Sequence, residues 1–219
     1  MITQRATVEV LHSTDPFTDR GEPISGPEVR VCEPTDSAVV LGSRQTVEIV
    51  DADACAAAGF GVVRRRSGGG AVLVQCGRVV WIDVVAPHGV GPDDVRGSMQ
   101  WIGGCWADAL TDLVDGRVSV HGGGLVSNEW SEVACFAGVG PGEVLVDGRK
   151  LVGLSQRRTR SGIRVQGMVH LSPVMARLCA VLREPLPAGR PDEPYVLPVV
   201  PVESIARRIA AALDRPPRR

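Results

Sequence analysis

The sequence predicts an α+β fold, a mainly antiparallel sheet flanked by helices, and three observations predict it. Short apolar runs of strand length recur between glycine-containing turns. One long segment, 93–114, switches to apolar steps of three and four, the helical period. No internal repeat or linker divides the 219 residues, so the chain reads as one domain over 1–219, long enough to bury a sizeable core.

The elements follow in order. Residues 12–28 are rich in Ser, Thr, Asp, Gly and Pro and read as an irregular lead-in. The runs 29–32 and 38–41 suit buried strands, and the Ala-rich 51–58, ending at Gly59, suits a short helix closed by a glycine. Strands are predicted at 60–64, 71–75 and 79–86, with 67–70 and 76–77 as turns of an antiparallel meander. In the long helix, Val95, Met99, Ile102, Trp106, Ala109 and Leu113 mark the buried face. Gly103 and Gly104 leave room there for a close approach. Further strands are predicted at 118–120, 133–136, 143–147, 151–156 and 164–171. Two helices, 173–183 and 202–213, flank a Pro-rich crossing over 185–201.

Composition excludes several classes. A net charge of −1 gives no electrostatic footprint for nucleic acid or an anionic membrane. The basic run 215–219 reads as a solvated tail. No stretch is long and apolar enough to span a bilayer, and residues 1–11 lack the apolar segment of a signal peptide. Six widely spaced cysteines without a C-x-x-C pair point to reduced thiols in a cytoplasmic protein, not to zinc or a disulfide framework. Four scattered histidines make no metal motif. His121-Gly122-Gly123-Gly124 is read as a loop near the pocket mouth, since no G-x-S-x-G elbow accompanies it.

Two segments could carry chemistry. In Arg64-Arg65-Arg66-Ser67-Gly68-Gly69-Gly70-Ala71-Val72, three residues without Cβ let backbone N–H groups press against a ligand. The arginines offer bidentate donors for a carboxylate, carbonyl or phosphate. The plainer reading is a hairpin turn with solvated arginines. The second segment is Gly148-Arg149-Lys150-Leu151-Val152-Gly153-Leu154-Ser155-Gln156. Lys150 is the only lysine among 24 basic residues. It marks a place where a compact ammonium, able to give up a proton, serves and a guanidinium does not. A hairpin with an exposed lysine is the plain alternative.

In this order, Arg-Arg-x-Ser-Gly-Gly-Gly-Ala-Val and Gly-Arg-Lys-x-x-Gly resemble the lipoate-protein ligase, octanoyltransferase and biotin ligase superfamily over roughly 38–171. Leu41-Gly42-Ser43-Arg44-Gln45 resembles its first strand and loop. The resemblance implies the class II ligase-like α+β fold, with an acyl chain in a tunnel beside the glycine loop and Lys150 at the reactive carbonyl. It implies Arg65, Ser67, Gly68, Gly69 and Gly70 as pocket-lining, and Gly153, Ser155 and Gln166 as further substrate-binding residues.

Two mechanisms share such a scaffold. A ligase activates lipoate with ATP and Mg before passing it to a carrier lysine. A transferase needs no cofactor and holds the acyl group as a cysteine thioester. Cys135, in Ala134-Cys135-Phe136-Ala137-Gly138, precedes Lys150 with the spacing of one octanoyltransferase group, which implies Cys135 as nucleophile and Lys150 as its catalytic partner. A nearby ammonium favours the thiolate and can relay protons. The plain alternative for Cys135 is a small apolar core residue. Where many ligases carry Asn-Asp before the lysine, this chain has Gly140-Pro141-Gly142-Glu143, which favours the transferase. The family's His-Gly after the lysine is here Gln166-Gly167, and its aromatic-His-Asp after the glycines is Leu73-Val74-Gln75. The implied partners are an acyl donor and, transiently, a lipoyl-carrier domain. A ligase, or a non-catalytic relative that binds an acyl group or carrier, are the alternatives.

Overall fold

The computed structural model describes residues 1–19, 22–198 and 200–215. Residues 216–219 of the expected tail lie outside them. In chain order the elements are β1 (Ile2–Ala6), α1 (Val8–Ser13), β2 (Glu28–Pro34), β3 (Ala38–Leu41), α2 (Ala52–Ala57), β4 (Gly61–Arg64), β5 (Val72–Val74) and β6 (Val79–Pro87). Then follow α3 (Val95–Leu110), β7 (Val118–Val120), β8 (Val144–Val146), β9 (Arg149–Arg158), β10 (Gly162–His170), α4 (Met175–Cys179) and α5 (Val202–Leu213). The fold is α+β, as predicted. Among the described residues no helix is long and apolar enough to cross a membrane.

Seven strands form one sheet in the order β1-β2-β6-β10-β9-β8-β7, antiparallel except for the parallel pair β1–β2. Its interior strand β6, between β2 and the central β10, is buried over eight of its nine residues, and its side chains divide between two cores. Val80, Ile82 and Val84 face a cluster with Trp106 of α3 and Ile205 and Ile209 of α5. Trp81 faces the opposite cluster, with Leu11 of α1, Val40 of β3, Leu73 of β5 and Leu178 of α4. Alternation continues on β10. Gly167 lies on the α3 side, where a Cβ would meet the Trp106 ring at 2.5 Å, and Met168 belongs to the other cluster.

The small sheet corrects the predicted meander. Its order is β4-β3-β5, with β3–β4 parallel and β3–β5 antiparallel. The reason lies between the strands. Helix α2, capped by the Asp51 side chain on the Ala54 N–H and followed by Gly59 at φ 72°, carries the chain across as a βαβ unit. Consequently the glycine-rich segment from β4 to β5 is no hairpin turn: it must pass over the end of β3. Gly42, just beyond β3, permits that crossing, because a Cβ there would sit 1.9 Å from the Gly69 carbonyl oxygen.

Three more expectations are corrected. Residues 133–136 do not form a strand. Ala134 makes a single parallel bridge to Ala71, and Cys135–Ala137 turn as a 3-10 helix. The lead-in is not wholly irregular, since α1 reaches to Ser13, and Ile2–Ala6 pair with β2. The helix expected over 173–183 is confined to Met175–Cys179. The close approach expected at the paired glycines of α3 is made at Gly103, whose Cβ would meet the Gly142 carbonyl oxygen at 1.9 Å.

One buried ion pair fastens α1 to the large sheet. Arg164 of β10 donates from Nε to the Asp83 carboxylate at 2.7 Å, and also to the carbonyls of Leu11 and Thr14 at the C-terminal end of α1. Trp81 Nε1 donates to the same carboxylate at 2.7 Å. Buried carbonyls and charges are tolerated only when paired this way. Removing the carboxylate alone in Asp83→Ala strands the guanidinium. Urea unfolding of that variant is expected to show a loss of about 3–5 kcal/mol.

Candidate active site

Arg65 begins the site. Its side chain is buried, and its guanidinium donates to the carbonyls of Val40, Gly68 and Gly70 at 3.2, 2.8 and 2.8 Å. The guanidinium thus binds the chain itself, clamping the glycine loop over β3 at both flanks of Gly69. Gly69 adopts φ 97°, a conformation glycine takes without strain. A Cβ there would lie 2.9 Å from the Arg65 guanidinium and 3.4 Å from Cys135 Sγ. At Gly70 a Cβ would lie 2.7 Å from the backbone of Ala134. That closeness is used: Ala71 N–H donates to the Val133 carbonyl at 2.7 Å, and Cys135 N–H to the Ala71 carbonyl at 2.9 Å. Gln45 ties the same segment down from the other side, through the carbonyls of Glu132 and Val133. The thiol of Cys135 is thereby held against the loop.

Lys150 approaches from β9. It is 5% exposed, which rules out the solvated-hairpin reading. Its Nζ lies 2.7 Å from Glu143 Oε2 and donates to the Cys135 carbonyl at 2.8 Å. The ammonium also sits 5.2 Å from the centre of the Phe136 ring, a cation–π distance. So the lysine reaches the cysteine through its main chain. Glu143, also buried, accepts from the N–H groups of Gly140 and Leu154 at 2.7 and 3.1 Å. The space expected beside Gly153 is taken by Phe136, whose ring a Cβ would meet at 2.7 Å.

Two spaces meet here. A narrow apolar cavity lies between the small sheet (Val40, Val72, Val74) and the large one (Trp81, Gly153, Met168). A much wider polar cleft is bordered by Gly68–Gly70, Lys150, Glu143 and the segment from Leu125 to Glu132. Cys135, Leu154 and Ser155 border both. Ser67 Oγ and Ser155 Oγ bond at 3.1 Å across the junction. Gln166, opposite Ser155 on β10, lines the cavity. Residues 121–124 lead into the cleft wall rather than lining it; His121 turns back on the Gly124 carbonyl.

The fold gathers the predicted residues around one junction: Cys135, Lys150, Arg65, Ser67, Gly68, Gly69, Gly70, Gly153, Ser155 and Gln166 all border the cavity, the cleft or the loop between them. Sequence reasoning missed three contributors. Glu143 was visible only as a departure from a motif, and Gly42 only as part of a strand end. His12 carried no signal in a six-residue helix, yet it lines the cavity, stacked on Trp81 with centroids 4.5 Å apart. Burial, aided by the charges of Arg164 and Arg65, pushes the His12 pKa down to about 3. Burial alone lowers that of His170, packed edge-on against Phe136, to about 4.

The lipoyl protein ligase A/B catalytic domain model matches residues 15–214, and the chain belongs to that family. Among solved structures, it is similar in fold to Ta0514 of T. acidophilum with bound lipoic acid (17% identity, TM-score 0.68, covering 97% of this chain and 83% of that one). It also resembles a structure from an archaeal lipoylation system, a bi-partite lipoate protein ligase and its E2 lipoyl domain from Thermoplasma acidophilum (18%, TM-score 0.66, 97% and 81%). A lipoate-protein ligase A bound with ATP is likewise similar (18%, TM-score 0.63, 98% and 85%). No curated protein matches the chain by sequence.

Glu143→Ala is expected to cost about 3–5 kcal/mol in urea unfolding, because a buried ammonium loses its counter-charge; Lys150→Met added to it should return part of that loss. The histidines give a pH signature. Their folded pKa values lie below the unfolded 6.5, so the unfolded chain takes protons first as pH falls. Stability is fully present above pH 6.5 and declines toward pH 4, with a slope of up to about 1.4 kcal/mol per pH unit for each histidine. His170→Asn should remove about half of the combined slope, measured by unfolding across that range.

Proposed function

We propose that this chain is a cysteine-dependent acyltransferase that moves an octanoyl or lipoyl group onto the lysine of a lipoyl-carrier domain. The observation that carries this reading is the position of Cys135, where an apolar cavity opens into a polar cleft. An aliphatic tail buried between the sheets leaves its carbonyl at the thiol, between the glycine loop and Lys150. Anchoring the tail there turns an encounter into a positioned reaction.

Two displacements complete the transfer. The Cys135 thiolate attacks the donor's thioester carbonyl. A new C–S bond forms, the donor's C–S bond breaks, and the departing thiolate takes up the proton that Cys135 gave. The carrier amine then attacks the acyl-cysteine. The C–N bond forms, the bond to Sγ breaks, and the sulfur recovers the proton the amine loses. Lys150 and Glu143 are the proton-carrying pair at the junction, and the ammonium steadies negative charge developing on the carbonyl oxygen.

The cleft's lining favours transfer over ATP-dependent ligation. Its cations are Arg44 and Lys150, the second already paired with Glu143, while Glu129 and Glu132 are exposed on the same wall. A polyphosphate and its magnesium gain little from that set, whereas an incoming ammonium is attracted to it. The likeness to a lipoylation system of a ligase and its E2 lipoyl domain supports a carrier domain as acceptor.

Incubation with an octanoyl-carrier is expected to add one octanoyl mass to Cys135 in intact mass spectrometry. Cys135→Ala should abolish the adduct, and both it and Lys150→Arg should slow transfer by at least about a hundredfold. If both variants keep the full rate, the assignment fails. Lipoate-stimulated ATP–pyrophosphate exchange without an adduct would make the protein a ligase. Binding with neither reaction would make it a non-catalytic relative.

A further inference from the structure

The apolar cavity has a polar interruption that the transfer reaction does not use. Val40, Val72, Val74, Trp81, Phe136 and Met168 give the cavity an apolar wall without polar selectivity. Against them stands the pair His12 of α1 and Gln166 of β10. The other polar liners are already satisfied: Arg65 by loop carbonyls, Ser155 by Ser67, and the Trp81 indole N–H by Asp83. Of the cavity-lining residues described, only His12 has a buried side-chain nitrogen without a hydrogen-bond partner, its Nε2.

The chemistry of that nitrogen follows from its neighbours. Gln166 Nε2 lies 3.4 Å from His12 Nδ1; with the amide in this orientation its nitrogen donates and Nδ1 is the acceptor. Burial and two arginines keep the ring neutral, and a neutral ring accepting at Nδ1 carries its one hydrogen on Nε2. The unpartnered atom is therefore a donor. Its position is fixed, since the ring stacks on Trp81 and its helix is held by Arg164 through the Leu11 and Thr14 carbonyls. A water placed there would find few other polar partners in so apolar a wall.

We propose that His12 is a specificity-determining residue, whose Nε2–H selects acyl chains bearing a hydrogen-bond-accepting heteroatom along the tail over plain alkyl chains. The dithiolane sulfurs of a lipoyl group are acceptors of this kind, though weak ones; an oxygen is a stronger one. An octanoyl chain leaves the donor buried and unpaired, which is the situation that discriminates most sharply between otherwise similar ligands. The proposal rests on the reading of this cavity as the acyl site.

Binding of unreactive octanoyl, lipoyl and keto-octanoyl amides, measured by calorimetry, separates the two claims. For the native protein the lipoyl amide should bind about threefold, and the keto-octanoyl amide about tenfold, more tightly than octanoyl. In His12→Phe, which keeps a ring beside Trp81 but no N–H, these ratios should fall to about one. Equal binding of all three amides, or ratios unchanged by the substitution, overturns the proposal and leaves the acyl site standing. Failure of every amide to bind overturns both. Should the variant not fold, nitrogen-15 spectra of the native protein still decide. The His12 Nε2–H resonance must shift downfield on adding the keto-octanoyl amide and stay put with octanoyl; no difference between them refutes the selection.

Discussion

Lys150 can place its charge on one carboxylate, that of Glu143, because both side chains are almost wholly out of water and 2.7 Å separates them. A buried ammonium without that partner would be costly by several kcal/mol, so whatever positions Glu143 positions the lysine. Glu143 is in turn fixed by the N–H groups of Gly140 and Leu154. The lysine's remaining bond goes to the Cys135 carbonyl. One charge pair thereby joins the loop before β8, the middle of β9 and the turn carrying the thiol. Their convergence is what creates a site.

The glycines express a steric consequence of topology. With β4 and β5 on opposite sides of β3, their connection must cross the end of β3, and Gly42 is the floor of that crossing. Arg65 then binds the loop's carbonyls from below, and Gly70 lets residues 133–135 close against its other side. At Gly42 and Gly70 the missing Cβ would strike backbone, and at Gly69 it would strike the Arg65 guanidinium. The thiol at Cys135 is exposed to the cleft because these contacts leave it no other place.

How much of this was readable in the sequence depends on the range of the interaction. The lone lysine, the triple glycine and the strand periodicity are local patterns, and the structure places them at one junction. The direction of Arg65 was not readable, because its acceptors are main-chain carbonyls that become neighbours only after β3 and the loop cross. The parallel pairing of β3 and β4 was in principle legible: a helix between two strands is the signature of a parallel unit, and the 51–58 helix had been identified. Residues 133–136 have strand composition, yet Gly70 offers them room for a single bridge, after which the chain must turn to present Cys135. His12 was beyond reach, since its burial is created by Trp81, 69 positions later, and by an Arg164–Asp83 pair longer still in range.

The same physical reasoning explains why one cation in this chain is a lysine. Two basic groups are buried beside the thiol. Arg65 faces a crossing rich in carbonyls, where a planar fork with several donors satisfies three acceptors at once. Lys150 faces one carboxylate oxygen and one carbonyl, with the Phe136 ring 5.2 Å from its nitrogen. A guanidinium there would carry more donors than these two acceptors engage. It would also hold its proton permanently, whereas an ammonium can give one up. Geometry and chemistry thus demand the same residue at position 150, and an otherwise arginine-only chain supplies it there.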